Sequence, residues 1–293
     1  MRPTAGLVLV GAVLAVWVSA AQRGALSADS HGAGISRTTA TSLLHVAPGS
    51  IVRWPGDHLE SCGVGGLAWT PLAGACYYAV DLQHTPGPLR LDRRAGGRTE
   101  QAQVIVLKNQ YPIQRLTLPA SQVDLSPADA ERVERENREV AALWARGGDR
   151  RFDLPLGRPL DPLPQGGRFG ARRIINGQSR SPHGGSDYAA SEGTPVRAVA
   201  DGTVVLVADH FFSGNSVFVD HGDGLVSMYF HLSRVDVPSG RQVRRGETVG
   251  AVGATGRAKG PHLHFGVRWH RARIDPALLL GDPSAIPTVE GRP

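Results

Sequence analysis

The 293-residue sequence holds only two cysteines and two methionines, and 6% of it is aromatic. Cys62 and Cys76 form no C-x-x-C pair, which argues against a redox role. No P-loop and no G-x-S-x-G is present, so phosphate cradling and serine acyl transfer have no support. No long internal repeat occurs. The apolar stretch 5–18 is shorter than the roughly 20 residues of a spanning helix. Basic residues give a net charge of +6 and a pI near 9.9 but gather into no block.

What is present starts with a targeting pattern. Arg2 precedes that apolar stretch, and Ser19, Ala20 and Ala21 supply small residues for cleavage, so residues 1–21 read as a signal peptide. No cysteine follows closely, which argues against a lipid anchor. The expected location is the periplasm, the cell envelope or the medium, with no transmembrane span after cleavage and no nucleic-acid partner. The basic surface then suits anionic wall polymers or an anionic membrane surface, or simply keeps the protein soluble. In an oxidising compartment Cys62 and Cys76 most simply pair, a staple of roughly 3 kcal/mol for a loop of about 15 residues.

The 37 glycines and 21 prolines favour an all-β chain. Residues 22–42 read as a flexible lead-in. Residues 43–107 alternate short apolar runs with turns and suggest a small β-sandwich. Residues 108–150 are a linker with one helix: Ser126 is the N-cap, Pro127 opens the first turn, Asp129 completes a capping box and Gly147-Gly148 ends the segment. Val133, Val140 and Trp144 share a stripe on that helix. Dense β pattern fills 151–282, and 283–293 is a tail expected without order.

Three clusters in the dense β region carry chemistry. His183 and Asp187 stand four apart in "SPHGGSDYAA", His231 ends the strand "MYFHLS", and "GPHLHFGV" holds His262 and His264. Strand alternation turns both histidines of H-x-H to one face. Two imidazoles and a carboxylate suit a catalytic zinc site, which keeps a fourth position for water, and a spare histidine can move protons. The spacing leaves open which histidines are ligands.

The motifs "HGGSDYAA", "GTPVRAVADGTVV", "GNSVFVDHGDGLVSMYFHLS", "VRRGETVGAVGATG" and "GPHLHFGV", in that order, resemble the lysostaphin/LytM-type zinc metallopeptidases. The likeness runs over about 169–280. It implies an antiparallel duplicated hybrid motif catalytic domain at 151–282, preceded by an Ig-like N-terminal domain at 43–107 and a connecting helix. It also implies a Zn2+ cofactor held by His183, Asp187 and His264, and a catalytic pair of His231 and His262. The implied substrate is the stem peptides and cross-links of bacterial peptidoglycan. The tyrosine that some members place upstream of the first ligand is missing here. Asn176 reads as turn-forming with Gly177, and Asn215 likewise as a turn residue. Arg172 and Arg173 read either as partners of substrate carboxylates or as a solvated strand edge. His221 reads as structural and His210 as a residue that could line the groove. Two alternatives stand beside the endopeptidase: an inactive regulator or wall-binding module of the same fold, and a D-alanyl-D-alanine carboxypeptidase type, whose His and Asp are spaced more widely.

Overall fold

The computed structural model describes residues 43–289; the expected signal peptide and lead-in lie outside them. In chain order the strands of the N-terminal half are β1 (Leu44–Val46), β2 (Ile51–Pro55), β3 (Leu59–Val64), β4 (Leu67–Trp69), β5 (Ala75–Ala79), β6 (Gly87–Ala95), β7 (Arg98–Val106) and β8 (Ile113–Leu116), followed by helix α1 (Pro127–Ala141). The C-terminal half adds β9 (Gly166–Gly167), β10 (Arg172–Ile175), β11 (Gln178–Ser179), β12 (Ser186–Ala189), β13 (Pro195–Arg197), β14 (Gly202–His210) and β15 (Gly214–Asp220). It ends with β16 (Leu225–Val235), β17 (Gln242–Val243), β18 (Thr248–Val252), β19 (His262–Trp269), β20 (Ala272–Ile274) and the short α2 (Ala277–Leu280). The all-β class holds.

Strands β1-β7-β6-β3-β4 form a five-stranded sheet, and β2 pairs with β5 in a second sheet. Between them Val52, Trp54, Tyr78, Leu91 and Val104 make a small core. The Cys62–Cys76 disulfide joins the two sheets, one cysteine from β3 and one from β5. This is a two-sheet packing; its Ig-like identity stays an expectation of the resemblance.

The larger sheet runs β17-β14-β15-β16-β19-β12-β9, with β13, β18 and β20 attached. Alternation along β19 places the site. Leu263, Phe265, Val267 and Trp269 are buried in the main core, each worth roughly 1.5–3 kcal/mol of transfer, so His262 and His264 between them face the other way. In β12 the buried Tyr188 fixes its neighbour Asp187 in the same manner.

The linker is part of the wall. Strand β8 pairs in parallel with β10, which bears Arg173. Helix α1 begins at Ser126, whose hydroxyl accepts from the Asp129 amide, as the capping box requires. Val140, with Leu143 and Trp144 beyond it, packs on Phe218, Val226, Met228 and Phe230. Glu136 accepts from the Phe211 amide, and Arg132 donates to the Asp209 carbonyl, tying the helix to the β14–β15 turn.

The C-terminal stretch departs from expectation. It is ordered to Val289: Thr288 bridges Arg53 in parallel, Arg53 donates to the Pro287 carbonyl, and Ile286 and Val289 are buried. Two apolar residues and an open edge on β2 explain the order. The two β regions also share packing. Ile51 and Tyr77 join the core around Trp269, Arg273 pairs with Asp81, and Trp69 stacks on His270 at 4.0 Å.

Candidate metal centre and groove

The site lies where β12, β16 and β19 are hydrogen-bonded side by side. Asp187 is directly across from His264, and His264 from Phe230. His183 arrives on the turn before β12. Its amide donates to the Ala171 carbonyl, and its Nδ1 donates to the Arg168 carbonyl at 2.9 Å. A carbonyl can only accept, so this bond fixes the tautomer and leaves Nε2 as the lone-pair atom. That Nε2 is 2.8 Å from His264 Nδ1 and 3.0 Å from Asp187 Oδ1, and His264 Nδ1 is 2.9 Å from the same oxygen. Gly185 makes the approach possible, because a Cβ there would lie 2.7 Å from His264 Nε2 and 2.5 Å from the Phe265 carbonyl oxygen.

With the His264 hydrogen on its other ring nitrogen, three electron-rich atoms stand within 3.0 Å of one another, an arrangement that repels unless a cation lies among them. Ligands of a tetrahedral ion with bonds of about 2.0–2.1 Å stand roughly 3.3 Å apart, so a slight relaxation admits a first-row divalent metal. Two imidazoles and one carboxylate form the donor set of an open catalytic site. Burial pulls the His264 pKa down to about 3, against the opposing pull of Asp187, so the ring is neutral and able to ligate. Burial alone would raise the Asp187 pKa, but the neighbouring His183 and His264 rings outweigh it and hold the carboxylate below its usual range.

His231 and His262 stand beside this triangle, ring centres 4.8 Å apart. His262 Nδ1 donates to the Gly260 carbonyl, and its Nε2 lies 3.8 Å from Asp187 Oδ1. His231 Nδ1 donates to the Thr255 carbonyl at 2.8 Å. Both rings therefore keep Nε2 as acceptor. Burial lowers the His231 pKa to about 4, with the charges of His262 and Arg173 adding to the effect and the Thr255 bond opposing it. His231 also has a left-handed backbone, φ 65°, where β16 leaves β19 and begins to pair with β18. Such a conformation costs on the order of 1–3 kcal/mol and re-aims the side chain.

Four of the five sequence-nominated residues, Asp187, His231, His262 and His264, line one groove of about 840 Å³, and His183 is buried against Asp187 and His264. His210 lines it too, but its Nε2 is 3.2 Å from Glu139 of α1. Asn176 lies away from the triangle: its amide group donates to and accepts from the Leu118 backbone, clamping β10 to the linker. Asn215 is a strand residue whose amide donates to the Leu232 carbonyl, not a turn residue. His221 is fully buried between the Asp201 carbonyl and the Ser227 hydroxyl, both at 2.8 Å. Sequence reasoning missed the groove walls supplied by α1 and β8. It weighed Arg173 without choosing, and the structure puts that side chain in the groove while Arg172 is exposed.

Comparison with known proteins decides the lineage. The profile of "Peptidase family M23" matches residues 181–276. The crystal structure of an M23 protein from Pseudomonas aeruginosa is 34% identical, covering 80% of this chain and 95% of that one at a TM-score of 0.64. This chain belongs to peptidase family M23. Among curated M23 relatives, the peptidoglycan DD-endopeptidase ShyA of Vibrio cholerae is 34% identical over 184 residues, 59% of this chain and 40% of ShyA. The DD-carboxypeptidase/endopeptidase Mpg of Neisseria meningitidis is 43% identical over 108 residues, 37% of this chain and 24% of Mpg. The M23 chain described here therefore spans well under half the length of these two relatives. Among the described residues, no helix is long and apolar enough to cross a membrane.

Proposed function

We propose that this protein is an exported zinc metalloendopeptidase that hydrolyses peptide cross-links of bacterial peptidoglycan. One observation carries the reading: His183 Nε2, Asp187 Oδ1 and His264 Nδ1 converge within 3.0 Å, with the neutral His231 ring and the His262 ring beside them in one groove. The M23 membership and the DD-endopeptidase relatives support peptide cross-links as the substrate. The disulfide supports an oxidising compartment.

In this reading His183, Asp187 and His264 hold the ion, with the Arg168 carbonyl fixing the His183 tautomer. A bound zinc ion supplies a Lewis acid for the scissile carbonyl and lowers the pKa of a water. His231 and His262 do the proton work at their Nε2 atoms. One accepts a proton from the attacking water as its oxygen joins the carbonyl carbon. As the C–N bond breaks, a proton returns to the departing nitrogen, leaving an amine on one fragment and a carboxylate on the other. Their backbone-anchored Nδ1 atoms keep both rings aimed without reorganisation.

The test is digestion of purified cross-linked muropeptides, with products identified by mass and metal content read by elemental analysis. Cleavage of a cross-link amide, one zinc per chain, loss on chelation and recovery with zinc are expected. Zinc-loaded protein that leaves every cross-link intact, or cleavage indifferent to chelation, sinks the proposal.

A further inference from the structure

Six of the residues lining the groove carry charge: the carboxylates Glu136 and Asp187, and the cations Arg168, Arg173, Arg257 and Lys259. Both carboxylates are engaged. Glu136 bonds Arg132 and the Phe211 amide, and Asp187 faces His183 and His264. Cations thus outnumber carboxylates four to two along the groove where a substrate would lie, and a divalent ion would add to that excess.

Arg173 is the unusual member. It sits on β10, one residue from each of Arg172 and Ile174, and shares a strand face with the buried Ile175. Its Nε is buried without a hydrogen-bond partner, and no ion pair to its guanidinium occurs among the described residues. Away from the groove Arg93 pairs with Glu100 and Arg150 with Asp223, while Arg53, on β2, shares the orphaned Nε. Burial lowers the Arg173 pKa, opposed by the Asp187 charge. A cation held this way is destabilising unless a ligand completes it. Arg168, mostly exposed at the rim, lies 3.9 Å from Asp187 Oδ2, and Arg257 lies over the Phe212 ring at 4.1 Å. Guanidinium forks recognise carboxylates in pairs of parallel bonds, which a carboxamide cannot reproduce.

We infer that Arg173, with Arg168 and Arg257 at its sides, forms a carboxylate subsite, and that the preferred substrate bears a free α-carboxylate within one residue of the amide to be cut. This inference rests on the peptidase reading and narrows it. It selects cross-links next to an unamidated acid, whether at a chain end or at the second amino-acid centre of a branched diamino acid, over cross-links whose neighbouring acids are amidated. Arg173 would be a specificity-determining residue that touches substrate.

The experiment uses two cross-linked muropeptides identical except that the carboxylate beside the scissile amide is free in one and amidated in the other. Binding to the metal-stripped protein is measured by calorimetry, and KM and kcat with the zinc-loaded protein. The acid is expected to bind about tenfold or more tightly than the amide, consistent with a charge-assisted pair. In Arg173→Gln the preference falls to near unity, mainly through KM, while zinc content is unchanged. Arg173→Lys recovers part of it. Because no protein partner loses a bond, Arg173→Gln should melt no lower than the parent, so a folding defect is not expected to intervene. Equal binding of acid and amide by the parent, or an acid preference retained in Arg173→Gln, overturns the inference. Failure of the zinc-loaded protein to cut either peptide would instead sink the peptidase reading, and the binding preference would still decide the subsite.

Discussion

The two β regions bury different things. In residues 43–107 the core is apolar, sulfur and aromatic: Val52, Trp54, Cys62, Cys76, Tyr78 and Leu91. Every buried polar or charged residue among the described ones lies instead between His183 and His231. The smaller region has a small core and a covalent staple, while the larger has apolar packing enough to carry four buried histidines. Buried polar groups cost stability unless they are bonded, and those of the larger region are: His183 to the Arg168 carbonyl, His221 to the Asp201 carbonyl and Ser227, and His231 to the Thr255 carbonyl.

The sharpest way to break this contrast is to remove a ligand from the polar region. His183→Ala or Asp187→Ala should abolish stoichiometric zinc and reduce muropeptide cleavage by a thousandfold or more, as loss of the metal's Lewis acidity implies, while the Cys62–Cys76 disulfide still forms. Elemental analysis, product mass and thiol titration read the three outcomes. His231→Ala and His262→Ala should each lower kcat by about 10²–10⁴ with zinc still bound, the range for lost general acid–base catalysis. Unchanged turnover in either variant would remove that residue from the proton work.

In the apolar region the perturbation is one of stability. Replacing both cysteines by serine should cost about 3 kcal/mol in denaturant unfolding, and the surviving folded fraction should bind zinc as the parent does. A loss of zinc in step with the disulfide would show that the two regions are not energetically distinct.

The smallest expected effect is a pH dependence from His221. Burial lowers its pKa from 6.5 to about 4, with the Asp201 carbonyl bond opposing. The unfolded chain therefore binds the proton first as pH falls. Stability is full above about 6.5 and declines toward pH 4, by roughly 2 kcal/mol between pH 7 and 5 at 1.36 kcal/mol per unit. His221→Asn should be less stable at pH 7 but show a shallower decline, as thermal melts at the two pH values would reveal. A slope identical to the parent's would contradict the assignment.

Much of the site was legible because it depends on short periods. H-x-x-x-D spans one turn into β12, and H-x-H is two strand positions whose neighbours Leu263 and Phe265 are apolar. The helix was legible through Ser126, Pro127 and Asp129, which act within one turn. What was not legible depends on pairings far apart in sequence. Nothing near Arg173 tells a solvated edge from a groove wall; that is decided by β8 lying along β10 and by α1 closing the other side. The order of the C-terminal stretch likewise depends on β2, and Asn176 on Leu118. A local reading left Arg173 undecided and took the C-terminal residues for a tail because their partners come from distant segments. Asn176, by contrast, does form the β10–β11 turn with Gly177, and only its Leu118 bonds were out of reach.

The bridge between Thr288 and Arg53 has a kinetic side. A chain that emerges amino end first exposes one flank of β2 until nearly its last described residue is available. During that interval the flank can be captured by any extended peptide, including a second nascent copy. Delivery of the strand that seals it is thus a timing device: the first sheet to appear is among the last to be finished.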